Sequence, residues 1–146
     1  MPIFRRASEK DIIKIAELER ENFTDAWSKQ SIAETLVQKQ AFITVAEKQG
    51  EVVGYCIVYY VMDEAEIARI AISSEMRRQG IGKELLDYTV ECCREKQIDR
   101  LLLDVRESNQ NAIAFYTAYG FGEDGIRKNF YECPQEHAVL MSKDLV

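Results

Sequence analysis

The chain has 146 residues, of which 47% are hydrophobic and 30% charged. About 100–200 residues make one domain, and near 150 residues roughly 68–70% of the unfolded surface can be buried; one domain over residues 1–146 is expected and a disordered chain is excluded. The net charge of −6 speaks against nucleic acid as a direct partner and favours cationic ones.

In chain order, residues 3–6 form a short strand candidate. Ser8 with Asp11 three residues later resembles a capping box and opens a helix over about 9–21, with Ile12, Ile15 and Ala16 as its apolar stripe. Residues 23–27 form a loop. Ser28 can cap a second helix, with Ile32 and Leu36 on one face. The period then changes from helical to two. Residues 41–47 and 52–62 read as strands joined by a turn at 48–51, and 66–73 as a third strand centred on Ile70-Ala71-Ile72. Residues 80–96 form the clearest helix, with Ile81, Leu85, Tyr88, Thr89 and Cys92 on one face. Residues 100–105 are a buried-type strand. Residues 109–119 are helical and end at Gly120. Two strands close the chain at 121–130 and 137–142. The fold class expected is α/β (α+β): a mixed, mostly antiparallel central sheet with helices on both faces.

No run of 18 apolar residues marks a membrane span, and the N-terminus MPIFRRASEKD lacks the apolar centre of a signal peptide. A cytoplasmic location with no membrane partner is expected. Cys56, Cys92, Cys93 and Cys133 form no C-x-x-C pair and read as free thiols. The single histidine, His137, comes without a G-x-S-x-G elbow, which disfavours a Ser-His-Asp hydrolase. No His/Cys spacing suits zinc, so no metal is expected.

Residues 77–83, Arg-Arg-Gln-Gly-Ile-Gly-Lys, lie between a strand and a helix. Gly80 and Gly82 allow close backbone approach. The first N–H groups of the helix lack internal partners and, with the helix dipole, suit a pyrophosphate. Arg77, Arg78 and Lys83 add positive charge to an acidic protein. Neither a complete Rossmann fingerprint nor a Walker A loop is present, and a plain glycine-containing turn before a helix fits the same residues.

The surroundings favour a ligand. Ile70-Ala71-Ile72, then Arg77-x-x-Gly80-x-Gly82, then Asn109 and Tyr116 before Gly120-Phe121 resemble the GNAT N-acetyltransferase superfamily across essentially the whole chain. Ala26-Trp27-Ser28, Asp63-Glu64-Ala65, Val105-Arg106-Glu107-Ser108-Asn109 and Arg127-Lys128-Asn129-Phe130-Tyr131 resemble its bacterial ribosomal-protein-alanine N-acetyltransferase subfamily. The resemblance implies acetyl-CoA as cosubstrate. Its pantetheine arm would pair with the backbone at Ile70, Ala71 and Ile72, and a backbone N–H there would hold the thioester carbonyl. The pyrophosphate would sit on Arg78, Gln79, Gly80, Ile81, Gly82 and Lys83. Asn109 would touch the cofactor arm; a helix N-cap is the other reading of that side chain.

The resemblance also implies a catalytic pair. An α-amine has a pKa of roughly 7.7–8.0, so a base must take its proton. Asp104 stands where the subfamily has a glutamate, with one methylene less reach. Pairing with Arg100 or Arg106 is the structural alternative, and Glu107 and Glu66 are reserve bases. Tyr116 matches the family's general acid for the departing thiolate. The implied acceptor is the α-amine of a protein N-terminus, an alanine-starting, basic small-subunit ribosomal protein. Trp27 and Tyr131 match substrate-binding positions near the acceptor groove, and Asp63, Glu64 and Glu66 suit a basic peptide. An acetyltransferase for a small amine or a lysine side chain, and a non-catalytic acetyl-CoA-binding module, are the alternatives.

Overall fold

The expected alternation of strands and helices holds in a computed structural model, which describes residues 1–146. The order is β1 (Ile3–Arg6), α1 (Ile12–Asn22), α2 (Lys29–Val37), β2 (Ala41–Lys48), β3 (Glu51–Val61), β4 (Glu64–Ile72), α3 (Ile81–Glu95), β5 (Arg100–Arg106), α4 (Gln110–Tyr119), β6 (Gly122–Tyr131) and β7 (Glu136–Asp144). The helix expected from residue 9 starts as a 3-10 turn, Glu9–Asp11, and becomes α-helical only at Ile12. The Asp11 carboxylate accepts the Ser8 N–H at 2.8 Å and is gripped by Arg5. Ser28 caps α2 as expected, accepting the Ser31 N–H at 3.1 Å.

The strands form one sheet in the order β1-β2-β3-β4-β5-β7-β6. Every neighbouring pair is antiparallel except β4 and β5. Helices α3 and α4 pack their apolar residues on one face, around Leu85, Leu86, Val90, Leu101, Leu103 and Tyr116. The opposite face carries α1 and α2, around Ile15, Leu18, Ile32, Val45, Tyr55 and Ile57. No helix is long and apolar enough to cross a membrane.

Two irregularities in β4 position the site. Its parallel ladder with β5 runs only from Glu64 opposite Arg100 to Ile67 opposite Leu103. Beyond it, β4 continues to Ile72 and β5 to Arg106 without pairing, so the two strands part as a wedge. A bulge lies where they part. Val58 faces Ile67 and Ile57 faces Arg69, which leaves Ala68 as an extra residue. Side chains alternate along a strand, and the bulge shifts that alternation by one. Ala65 and Ile67 pack on the α3 side before it, and Ile70 and Ile72 do so after it. Ala68 and Ala71 pack toward α1 and α2.

Candidate active site

One edge of β4 stays paired inside the wedge, with Ile70 opposite Cys56, Ala71 opposite Tyr55 and Ile72 opposite Gly54. The other edge has lost β5, so its backbone N–H and C=O groups lack a strand partner. The close approach of β3 and β4 requires glycine at residue 54. A Cβ there would come within 2.5 Å of the Ile72 Cδ1 and 3.1 Å of the Ala71 carbonyl oxygen.

The chain turns from β4 into α3 through the expected glycine loop. Gly80 sits at the N-cap in the left-handed region, φ +79°, where a side chain is strained. The N–H groups of Ile81, Gly82 and Lys83 precede the first intrahelical bond, from Glu84 N–H to the Gly80 carbonyl at 3.1 Å. They constitute the positive end of α3. Arg78 is exposed and Ile81 buried. Gly82 lies against Ile72 and Phe115, which an added Cβ would meet at 3.7 Å. Gln79 accepts from Lys48 at 3.1 Å, and Lys83 pairs with Asp87 at 3.2 Å. Arg77 is otherwise engaged: it donates to the Ile72 carbonyl and to Asn22, fastening the loop to α1. Asn109 caps α4, accepting the Ala112 N–H at 3.1 Å.

Tyr116 reaches from α4 into the core. Only 6% of the residue is exposed, and its ring packs edge-on against Phe115 and Phe121. Burial holds its phenol above the ordinary tyrosine range, with smaller contributions from Cys56 and Tyr131. Asp104 is half-buried on β5. Burial raises its pKa, and Arg127, 4.0 Å away on β6, opposes the rise. The alternative partners go elsewhere: Arg106 pairs with Glu136 at 3.3 Å, and Arg100 with Asp124 at 3.7 Å and Glu64 at 4.0 Å. Asp104 is therefore not consumed by either neighbouring arginine. Glu107 is exposed beyond the end of β5.

Trp27 and Tyr131 stand on the α1/α2 side of the sheet. Trp27 borders a cleft of about 510 Å³ lined by Ser28, Ser31, Glu34, Thr35 and Tyr59. Tyr131 ends β6, with the Arg106 guanidinium 4.5 Å above its ring. Burial and nearby Asp104 push its phenol up to about 12.

An unpaired strand edge beside a helix N-terminus accommodates an extended ligand ending in a pyrophosphate. The Acetyltransferase (GNAT) family model matches residues 12–121. The chain belongs to the GNAT family. It is an acyl-transferring enzyme, and the GNAT family uses acetyl-CoA. A Bacillus subtilis (strain 168) protein is 41% identical over 133 residues, 90% of this chain and 88% of its own length; its name assigns it provisionally to ribosomal protein bS18-alanine N-acetylation. The Escherichia coli (strain K12) ribosomal protein bS18-alanine N-acetyltransferase is 31% identical over 118 residues, covering 80% of this chain and 79% of its own. The crystal structure of the Escherichia coli ribosomal-protein-S18-alanine N-acetyltransferase superposes with a TM-score of 0.91 at 27% identity, over 99% of this chain and 94% of that one.

Two residues beside this candidate site, Arg69 and Glu19, escape sequence reasoning, and so does the loop-fastening role of a third, Arg106. Arg69, just past the bulge, donates to the Asp25 carbonyl and carboxylate at 2.8 and 2.9 Å and lies 4.1 Å from the Phe23 ring centre. Glu19 on α1 is fully buried. It accepts the Trp27 N–H at 2.9 Å and the Tyr55 hydroxyl, and pairs with Arg69 at 3.3 Å. Together they fasten the α1–α2 loop to β4. Arg106 does the same for the β6–β7 connection, donating to the Pro134 and Glu132 carbonyls at 2.9 and 3.0 Å. One signal was available: Glu19 lies on the stripe of Ile15, Ala16 and Leu18, where a carboxylate needs buried partners.

Proposed function

We propose that this enzyme transfers the acetyl group of acetyl-CoA to the α-amine of a protein N-terminus, an alanine-starting, basic small-subunit ribosomal protein. The observation that carries the reading is its similarity to the bS18-alanine N-acetyltransferases over 80–90% of the chain. The net charge of −6 and the carboxylates Glu66 and Asp104 on the Trp27 and Tyr131 side complement a basic terminus.

In this reading Ile70, Ala71 and Ile72 hold the pantetheine arm along the free β4 edge. The positive end of α3, with Arg78, Gln79, Gly80, Ile81, Gly82 and Lys83, holds the pyrophosphate. Asn109 contacts the arm from the start of α4. Bound acetyl-CoA supplies the acyl group and a thiolate leaving group. Trp27 and Tyr131 flank the acceptor. Asp104 takes a proton from the α-ammonium, a task its raised pKa suits because the base then lies nearer the working pH. Tyr116 donates a hydrogen bond to the departing sulfur; its raised pKa keeps the phenol protonated across the physiological range. A peptide panel varied at the first residue, incubated with acetyl-CoA and read by mass spectrometry, tests the proposal. Acetylation at the α-nitrogen of alanine-starting peptides is expected. Acetylation confined to lysine side chains of N-terminally blocked peptides refutes it.

A further inference from the structure

The face of the sheet that carries Asp104 leads away from the wedge to the cleft beside Trp27. Tyr59 on β3 stands opposite Glu66 on β4, and Glu66 stands opposite Leu102 on β5, so the three lie abreast. Ala65, Ile67, Leu101, Leu103 and Val105 are buried on the α3 side. Alternation therefore turns Glu66, Leu102 and Asp104 to the other face, where Tyr59 packs beside α1 and α2. Tyr59 lies two strand spacings from β5, about 10 Å, and Asp104 lies two residues past Leu102, about 7 Å, so about 12 Å separates their backbones. An extended chain advances about 3.3 Å per residue. One whose α-amine meets Asp104 brings its fourth or fifth residue to the cleft.

The walls of the cleft come from α2 and β3. Trp27 and Tyr59 supply two aromatic rings, with centres 6.3 Å apart and planes tilted by 51°. The hydroxyls satisfy one another. Thr35 donates to the Ser31 carbonyl at 2.9 Å and lies 2.7 Å from the Tyr59 hydroxyl, and the Ser28 and Ser31 hydroxyls pair at 3.1 Å. The Glu34 carboxylate is left over. Its partner is the Gln30 amide at 3.5 Å, a long contact, and no lysine or arginine pairs with it. A free carboxylate beside two aromatic rings suits a cation. Arginine suits it best, because a planar, weakly hydrated guanidinium stacks on a ring while its N–H groups reach the carboxylate.

We propose that the cleft between α2 and β3 is a second acceptor subsite, which takes an arginine side chain from the fourth or fifth residue of the incoming chain. The guanidinium lies on the Trp27 and Tyr59 rings and pairs with Glu34. The proposal rests on the α-amine reading above and adds a downstream requirement to it. Trp27 belongs both to this cleft and to the acceptor side of the wedge, so the two are continuous. Selectivity then has two parts: the wedge receives the chain end, and the cleft reads a charge a fixed distance behind it.

The test walks a single arginine through positions two to seven of otherwise neutral, alanine-starting peptides, with kcat and KM measured on the wild type, E34Q and E34K. Every peptide in the series carries the same net charge, so the general attraction to an acidic protein cancels. Glu34 is exposed on α2, and thermal melting with CoA titration confirms that both variants keep their fold and cosubstrate site. On the wild type, arginine at position four or five is expected to lower KM by about 5–10-fold relative to the other positions, the size of an exposed cation–π contact with a surface ion pair. The kcat should be unchanged, because a contact remote from the reacting atoms holds substrate and transition state alike. E34Q should keep about twofold of the advantage, from the rings alone. E34K should lose it and favour glutamate at the same position. A flat wild-type profile, a minimum at another position, or a profile that both variants leave intact overturns the subsite. If only an N-terminally blocked lysine peptide is acetylated, the α-amine reading falls, while an arginine walked away from that lysine on wild type and E34Q still decides Glu34.

Discussion

Replacing Tyr116 by phenylalanine deletes one oxygen and leaves the rest of the residue in place. The ring keeps its packing against Phe115 and Phe121, whose centres lie 5.3 and 5.4 Å away. The hydroxyl has no hydrogen-bond partner within the protein, so its removal orphans no buried group; Arg69 Nε is the one sealed side-chain polar atom without a hydrogen bond. A midpoint change of no more than about 2 °C is expected, corresponding to about 0.5–1 kcal/mol in a domain of this size. Turnover should fall by about 10²–10⁴-fold, which is about 3–5 kcal/mol of barrier. The acetyl-CoA affinity should hold. Burial raises the Tyr116 pKa, so the protonated, donating form persists beyond the ordinary value of about 10. Activity that depends on Tyr116 is lost only as pH rises through that raised value, and no loss from this group is expected below about pH 10. Thiol release followed with a chromogenic disulfide gives the turnover, and calorimetry gives the affinity. A Tyr116→Phe enzyme within threefold of wild-type turnover would refute the assignment, as would one whose losses track a large fall in melting temperature.

Asp104→Asn should lower turnover at pH 7 and recover as pH passes about 8, where the α-amine becomes neutral; a pH–rate profile parallel to wild type excludes the base role. Because the Asp104 pKa is raised, the wild-type acid limb should lie above the ordinary carboxylate value, with activity lost as pH falls through it, and Asp104→Glu should retain activity. Gly82→Val, which places side-chain bulk at the start of α3 near Ile72 and Phe115, should weaken CoA binding in a calorimetric titration while the protein still melts cooperatively; unchanged affinity would remove this helix end from the cosubstrate site. Arg69→Leu leaves Glu19 buried without its cation, which costs about 3–5 kcal/mol and lowers the melting midpoint by about 10 °C or more; the peptide KM should rise with the acetyl-CoA affinity held, and an unchanged midpoint would contradict the assigned role of the pair.

The order of strands and helices was readable because each segment carries its own period. The stripe Leu85, Thr89 and Cys92 is buried on α3 as its spacing demands. The wedge was not readable. It arises from the register between residues 64–67 and 100–103, which packing sets and no local pattern records. The bulge at Ala68 was equally hidden, since Ile67-Ala68-Arg69-Ile70-Ala71-Ile72 looks like one continuous strand. The loop over Gly80 and Gly82 stood out because its glycines and cations have a local reason to be adjacent. The partner of Asp104 was not readable either, for a physical reason. Arg100, Asp104 and Arg106 share a strand face, so adjacency suggests an ion pair. Distant acids compete successfully: Asp124 on β6 and Glu136 on β7 draw the two arginines away.

The two loop-fastening arginines have a kinetic consequence. Arg69 and Arg106 tie down the α1–α2 and β6–β7 connections beside Trp27 and Tyr131. The ordering entropy of those loops is met during folding, so an incoming chain end does not have to supply it. Capture is then a single docking event with no slow closure after it. Observed association rates should rise linearly with peptide concentration, with a second-order constant of about 10⁵–10⁷ M⁻¹ s⁻¹. If Trp27 and Tyr131 flank the acceptor as proposed, throughput is governed by encounter and chemistry rather than by a moving cover.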